Sequence, residues 1–202
     1  MKTIFCSHYL APIAYYKRLL FSDEVLIESC NFYEKKTYQN RCEILSANGK
    51  IALSVPVEKP SRAKVPFKDI RIAYHEDWQH QHLRALSSAY KNSPFFEYYI
   101  EDFLPFYEKK TSFLLDLNMG LHHTVLSAIE EQRPTVLTSN FYQQNDVQDL
   151  RFSFHPKKEY DGELKRYTQV FSDKMDFVPH LSIIDLLFNL GPEVELYMKS
   201  QG

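Results

Sequence analysis

The sequence predicts an α/β fold, in which an N-terminal mixed sheet, made of a βαβ unit and a β-hairpin, precedes a helical C-terminal half. Short strand-like runs at 2–7 and 24–29 flank a segment at 12–21 whose apolar residues follow helical spacing, as in a parallel βαβ unit. Two further strand-like runs within 41–57 meet at Asn48-Gly49, a strong hairpin signal. Beyond them, longer helical patterns dominate the chain.

We expect one domain over 1–202, with a sheet-rich part at 1–75 and a mainly helical part at 76–202. Strands are also predicted at 69–74 and 135–139, and helices at 78–90, 94–110, 111–132, 181–190 and 193–199. Pro105 marks a kink or break in the second of these helices. Ser182 and Asp185 have the spacing of a capping box, which is the simplest explanation of that acidic residue. The polar segment 140–165 shows no periodicity, and we interpret it as a loop of open function.

The composition excludes several classes of protein. A net charge of −2 gives no general attraction to nucleic acid or to an anionic membrane. The five glycines are not clustered, which argues against a P-loop or a dinucleotide fingerprint, and we expect no cofactor. No apolar run is long enough to span a membrane, and the N-terminus lacks the pattern of a signal peptide. The three cysteines form no CxxC pair, so we expect reduced, largely inert thiols in a cytoplasmic protein.

Four blocks of sequence carry a family resemblance. They are SHYLAPIAYY at 7–16, NFYEKKTYQNRCEI at 31–44 with the SVPV strand at 54–57, WQHQHLRALSSAYKNSPFFEYY at 78–99, and YTQVFSDKMDFVPHLSIIDLLFNLGPE at 167–193. In order, spacing and residue type the chain resembles the WbqC-like proteins, which are named from bacterial O-antigen gene clusters. It departs from many of them at Ser7-His8, where they have Gln-Pro, and in a shorter segment 133–166. The resemblance implies a role in surface-polysaccharide synthesis, often taken to be a transferase, and assigns no residue roles.

A basic and polar corner lies in the second block. Arg41 offers a planar fork of donors suited to phosphate or carboxylate, and Asn40, Asn31, Lys35 and Lys36 add amides and charge. We expect this corner to bind an anionic small molecule, such as a nucleotide-sugar or a carboxylated sugar. The alternative is that Arg41 pairs with a carboxylate of the protein itself.

Histidines supply the other catalytic candidates. His8 follows the first strand, where active sites of α/β folds form, and a histidine near its free pKa is the usual general base. His82 is the better placed member of the HxH pair, because Trp78 and His82 share a helix face whereas His80 points elsewhere. Tyr9, Tyr16 and Trp78 are expected to contact a sugar, with core packing as the alternative. No Cys-His spacing predicts a metal.

Three functions follow from these observations. The first is a transferase that acts on a sugar nucleotide or on an acyl or aminoacyl sugar during surface-polysaccharide assembly. The second is a non-catalytic ligand-binding or scaffold protein of the same pathway, because no complete set of nucleophile, base and acid is visible. The third is a nucleotidyltransferase-like enzyme, although His8 stands without the HxGH turn of that class.

Overall fold

The computed structural model describes residues 1–59, 64–142, 146–158 and 164–200. Its first elements are β1 (Lys2–Cys6), α1 (Ile13–Leu20) and β2 (Glu24–Glu28). The two strands pair in parallel, with Ile4 opposite Leu26, and the helix packs its apolar face on the core. The predicted βαβ unit is therefore confirmed. The strands are buried almost throughout, as expected where a crossover helix covers a parallel pair.

The predicted hairpin is also confirmed. β3 (Arg41–Ser46) and β4 (Gly49–Ser54) pair antiparallel and form a separate two-stranded sheet. Gly49 adopts a φ of 102°, which explains the glycine at this turn. The strand predicted at 69–74 is wrong in part. A 3₁₀ turn at Phe67–Asp69 is followed only by single-residue bridges, from Arg71 to Phe113 and from Ile72 to Val57.

Three long helices follow, α2 (Trp78–Tyr90), α3 (Phe96–Glu108) and α4 (Leu114–Ala128). The helix α3 continues past Pro105 to its last turn, so this proline does not end it. No helix in the described part of the chain is both long and apolar enough to cross a lipid bilayer.

The parallel sheet is completed by strands from the second half of the chain. β5 (Thr135–Leu137) joins β2, as predicted for that region, and β6 (Gln148–Asp149) joins the free edge of β1. The strand order is β5-β2-β1-β6, and every pairing is parallel. The sheet thus draws its strands from both the sheet-rich and the mainly helical part of the chain, and all four strands end at one edge.

The chain ends with α5 (Ile183–Leu190), a 3₁₀ turn at Gly191–Glu193 and α6 (Val194–Lys199). Ser182 caps α5, since its Oγ accepts from the amide of Ile184 at 3.4 Å. The capping-box explanation of Asp185 is wrong. Its carboxylate is fully buried and accepts hydrogen bonds from the hydroxyls of Tyr90 at 2.9 Å and Tyr167 at 2.5 Å.

Candidate functional site

A cavity opens at the edge where the parallel strands end. Its volume is about 180 Å³, and we call it the histidine cavity. The wall combines residues that end or follow β1 and β6 with two loops, namely Cys6, His8, Glu34, Thr37, Gln39, Arg151, Phe152, Phe154, His155 and Lys158. Ligand sites of open parallel sheets form at this edge, because helices cover the faces and only the strand ends remain accessible. This position makes the cavity the first candidate for a functional site.

His8 is the most unusual group in this wall. Its side chain is only 7% exposed, and its Nδ1 is buried without a hydrogen-bond partner among the described residues. The ring packs against those of Tyr15, at 5.2 Å between centroids, and Phe154. Burial, aided by the charge of His155, lowers the pKa of His8 to about 3. The imidazole is therefore neutral at pH 7, and one of its ring nitrogens can accept a hydrogen bond.

Arg151 carries a charge that the protein itself neutralises. Its Nη1 lies 3.1 Å from the fully buried carboxylate of Glu28, and its Nη2 lies 2.6 Å from Asp149. The guanidinium also stacks over the ring of Phe141, at 4.5 Å. The hydrogen bond from Arg151 lowers the pKa of Asp149 below its usual value. The ion triad joins the ends of β2 and β6, and the contact with Phe141 adds the segment after β5, so Arg151 shapes the cavity wall.

Two polar side chains support the floor near His8. The amide Nδ2 of Asn31 donates to the sulfur of Cys6 at 3.2 Å, while the Oδ1 of Asn31 has no partner among the described residues. Burial raises the pKa of Cys6 to about 12, so the thiol stays protonated. A protonated thiol is a poor nucleophile, and Cys6 packs as a small apolar group.

The predicted catalytic histidine His82 lies elsewhere, in the interior. Its Nδ1 is 2.9 Å from the hydroxyl of Tyr9, which in turn is 2.9 Å from the hydroxyl of Tyr107. Its ring packs edge-on against Trp78 at 5.1 Å, so these two side chains share a helix face as predicted. Burial lowers the pKa of His82 to about 4. None of these four side chains lines the histidine cavity, and their contacts are those of a polar core cluster.

Tyr16 occupies a second interior cluster. Its hydroxyl lies 3.3 Å from Nδ1 of His122, and the two rings stack at 5.6 Å. The neighbouring His123 is exposed, so the two adjacent histidines diverge. No group of His, Cys, Asp or Glu side chains within the described ranges could hold a metal ion.

Arg41 binds a carboxylate of the protein. Its Nη2 lies 2.7 Å from Oε1 of Glu43, and Lys50 lies 2.8 Å from the other oxygen. Burial acts to raise the pKa of Glu43, but hydrogen bonds from Lys50 and Arg41 keep it below its usual value. Asn40 donates to the carbonyl of Val55 at 2.8 Å and so holds the end of the hairpin. We expected Arg41 to bind the anionic group of a ligand. In the structure it binds the carboxylate of Glu43, which lies two residues further along the same strand and therefore on the same face.

Lys35 and Lys36 are exposed, and Lys36 adopts a φ of 63° in the turn. Like Arg41, they do not line the histidine cavity. Three other residues of the same segment, which were not predicted, line the histidine cavity, namely Glu34, Thr37 and Gln39.

A second cavity of about 350 Å³ lies beside the first, and we call it the hairpin cavity. Its wall contains Tyr38, Glu43, Lys50, Pro156, Lys158, Pro179 and His180. Lys158 lines both cavities, and its ammonium donates to the carbonyl of Phe152 at 2.8 Å. Sequence reasoning missed Arg151, His155 and Lys158, because they come from a segment without periodicity. The basic run HPKK at 155–158 was the one local signal.

The chain is 25% identical over 227 residues to the uncharacterized protein Rv1507c of Mycobacterium tuberculosis, an alignment that covers 96% of this chain and 95% of the relative. No solved structure matches the chain significantly. A model of the WbqC-like protein family matches residues 7–159, which include every residue of the histidine cavity wall except Cys6 and three of the four resembling blocks, but not the block at 167–193. The chain belongs to the WbqC-like protein family.

Proposed function

We propose that the protein is a transferase that acts on a sugar nucleotide, or on an acyl or aminoacyl sugar intermediate, in bacterial surface-polysaccharide biosynthesis. The observation that carries the proposal is the buried imidazole of His8, whose Nδ1 has no partner among the described residues, in the wall of a cavity at the carboxyl edge of a parallel sheet. A buried polar atom without a partner is unfavourable, and a ligand group that reached it would supply the missing hydrogen bond. Membership of the WbqC-like family supports the pathway.

The reaction that fits this site is the transfer of a sugar or acyl group from an activated donor to a hydroxyl or amine of an acceptor. The acceptor atom forms the new bond to the transferred group, and the bond to the leaving group breaks with its electron pair. The acceptor proton passes to His8, whose ring is neutral at pH 7 and whose low pKa has to rise in the complex before it serves as a base. A bound anionic leaving group beside His8 would raise the pKa of the imidazole and strengthen it as a base.

The other residues of the region bind an anionic group of the substrate, position the cavity walls or stabilise the fold. Lys158 offers a charge at the border of both cavities, where a phosphate or carboxylate fits. Arg41 and Asn40 position Glu43 and the hairpin end, which form one side of the hairpin cavity. Tyr9, His82 and Trp78 pack in the interior, beside Tyr107 of α3, so their substitution would act through stability.

The test has two stages. Calorimetry of the full chain against UDP-, GDP- and dTDP-linked sugars identifies a donor, and product formation is then measured with acceptor sugars. We expect His8→Gln to lower kcat by about 100-fold or more, with a KM within a few-fold of the parent. The exposed His123 is the matched control, and His123→Gln should keep full activity. Full turnover by a folded His8→Gln variant, or no binding of any activated sugar, would refute the proposal.

One observation favours a second function, a non-catalytic ligand-binding protein of the same pathway. The strongest predicted anion binder, Arg41, is held by Glu43, and His82 is enclosed in the core. A binding protein needs the cavities but no turnover. Saturable binding of a sugar nucleotide without product formation over a range of acceptors would support this function in place of the transferase.

A further inference from the structure

The segment 150–158, which we call the strap, forms one wall of the histidine cavity. Besides Arg151 it supplies four residues of that wall, Phe152, Phe154, His155 and Lys158. Within the stretch 152–158 the side chain of Phe154 is buried, and the other six are half-buried or exposed. Phe154 is therefore the main apolar anchor of the strap on the core of the protein.

The ring of Phe154 packs against the imidazole of His8. The two rings lie edge-on, with centroids 6.5 Å apart and an angle of 81° between their planes. The same phenylalanine lies 5.4 Å from Tyr15 and 6.3 Å from Phe5. Since Tyr15 is itself 5.2 Å from the imidazole, Phe154 fills the space beside His8 on the side of the strap.

His8 stands between the histidine cavity and a dry interior. It also lines a narrow inner crevice, together with Ser7, Tyr15 and His122, and this crevice has no room for a water molecule. The Nδ1 of His8 is buried and has no partner among the described residues. A ligand or a water molecule therefore reaches this atom only after one of the neighbouring side chains moves.

Three aromatic rings among the described residues pack against the imidazole, those of Tyr15, Tyr38 and Phe154. Tyr15 belongs to the buried helix α1, and the carbonyl of Tyr38 accepts from the amide of Tyr9 at 2.8 Å. Phe154 instead belongs to the strap, most of which is accessible to solvent. Segments with few buried side chains open locally at a small part of the global free energy of unfolding, so Phe154 is the neighbour that moves most readily.

The strap is also built to move as a unit. The amide of Lys158 donates to the carbonyl of His155 at 2.9 Å, and its ammonium donates to the carbonyl of Phe152 at 2.8 Å. The amide of Lys157 donates to the Nδ1 of His155 at 3.1 Å. These hydrogen bonds join residues of the strap to one another, so they persist when the strap leaves the core.

We propose that the strap is a gate over His8 and that Phe154 is its plug, so that the acceptor reaches the imidazole only when the strap opens. This inference rests on the proposed function, which it deepens by stating how the site is controlled. Burial and the charge of His155 lower the pKa of His8, and strap residues contribute to both causes. Opening of the strap hydrates the ring and moves His155 away, which raises the pKa toward its ordinary value and supplies the base that the transfer needs.

Modification of the full chain by diethylpyrocarbonate tests the gate without any substrate. The reagent acylates a neutral imidazole that it can reach, and mass spectrometry gives the rate for each histidine. We expect His8 to react about tenfold or more slowly than the exposed His123, at a rate nearly independent of urea below the unfolding transition. The similarly buried His82 should react only as the whole protein unfolds.

Two variants of the strap separate the plug from a general loosening. Phe154→Ala should raise the rate at His8 about tenfold or more and leave the rate at His82 within a few-fold of the parent. Phe152→Ala is the matched control, because Phe152 is an exposed ring of the same strap and the same cavity wall. Its loss should leave the rate at His8 unchanged.

An unchanged rate at His8 in a folded Phe154→Ala variant, or an equal increase in both variants, overturns the inference. In the parent protein, a rate at His8 that equals that of His123, or that follows global unfolding as closely as that of His82, overturns it as well. The measurements on the parent keep the test decisive even if Phe154→Ala does not fold.

The gate and the transferase fail separately. If the modification rates behave as expected but no activated sugar is turned over, the gate holds and the proposed function falls. If His8→Gln abolishes turnover while Phe154→Ala leaves the rate at His8 unchanged, the transferase holds and the gate falls.

Discussion

Three histidine side chains lie in the interior, and we expect mild acid to destabilise the protein through them. His8, His82 and His122 are each less than a tenth exposed. Burial is the largest cause that lowers the pKa of all three, to about 3 for His8 and His122 and about 4 for His82. In the unfolded chain the same groups titrate near 6.5. The folded state therefore holds neutral rings that the unfolded state protonates at mildly acidic pH.

The sign and size of the effect follow from proton linkage. The pKa of each histidine is lower in the folded than in the unfolded protein. The contribution of the neutral buried ring to the free energy of unfolding is therefore fully present above the pKa of the unfolded state, and it is lost as the pH falls below that value. From pH 7.5 to pH 5, protonation of each histidine in the unfolded state lowers the free energy of unfolding of the protein by about 2 kcal/mol, since one pKa unit corresponds to about 1.4 kcal/mol. Together the three lose about 6 kcal/mol, comparable with the whole stability of an ordinary domain. Asp185 acts in the opposite direction, because burial raises the pKa of its carboxyl.

Urea unfolding followed by circular dichroism at pH 7.5 and pH 5 measures this loss. We expect His122→Gln to reduce the pH-dependent loss by about 2 kcal/mol, whatever its effect on stability at pH 7.5. His80 is exposed on α2, and His80→Gln should leave the pH dependence unchanged. A parent protein with equal unfolding free energies at the two pH values would refute the reasoning, because the buried rings would then titrate as they do in water.

Three further predictions concern buried charge and backbone geometry. Arg151→Met should destabilise the protein by about 3–5 kcal/mol in urea titrations, because Glu28 keeps a buried charge without its cation, and adding Glu28→Gln should restore much of the loss. If the double variant is no more stable than the single one, the ion pair is not the cause. Asp185→Asn should cost about 1.5–3 kcal/mol by thermal unfolding, since two tyrosine hydroxyls donate to this carboxylate, and an unchanged Tm would contradict this. Gly191→Ala should lower the Tm, because the residue has a φ of 55° and an added Cβ would lie 2.5 Å from the ring of Phe95; combining it with Phe95→Ala should recover the contact part but not the backbone part.

The elements that sequence reasoning identified correctly have strong local patterns. The βαβ unit, the hairpin and the long helices each repeat apolar residues with the period of their own geometry. The strand β6 was missed because Gln148–Asp149 is two polar residues long, and it is a strand only because β1 has a free edge to pair with. The region 69–74 alternates like a strand, but its neighbours offer only isolated bridges. Pairing partners are a property of the tertiary fold, and local periodicity does not contain them.

In the candidate site, too, some residues could be predicted from the local sequence and others could not. His8 was predicted from its position after the first strand, and the structure places it in the cavity wall. Arg41 was predicted to bind an anion, and the anion that it binds is the carboxylate of Glu43. Because side chains alternate between the two faces of a strand, residues 41 and 43 lie on the same face. Arg151 and Lys158 reach the cavity from a segment more than a hundred residues away in the chain. The role of Arg151 depends on the buried carboxylate of Glu28, a pairing that no spacing in the sequence indicates.

The sequence by itself determined the α/β class, the order of the main elements and the family. It also singled out His8, which follows β1 and lies in the cavity wall. These depend on short-range patterns, in which side-chain chemistry and helical or strand period suffice. Only the tertiary structure decided which polar groups were satisfied inside the protein and which were left available. The Nη2 of Arg41, the Nδ1 of His82 and the hydroxyl of Tyr9 found internal partners, whereas the Nδ1 of His8 found none among the described residues. The physical reason is that burial and pairing are set by neighbours distant in the chain, and those neighbours decide whether a side chain stabilises the fold or can bind a ligand.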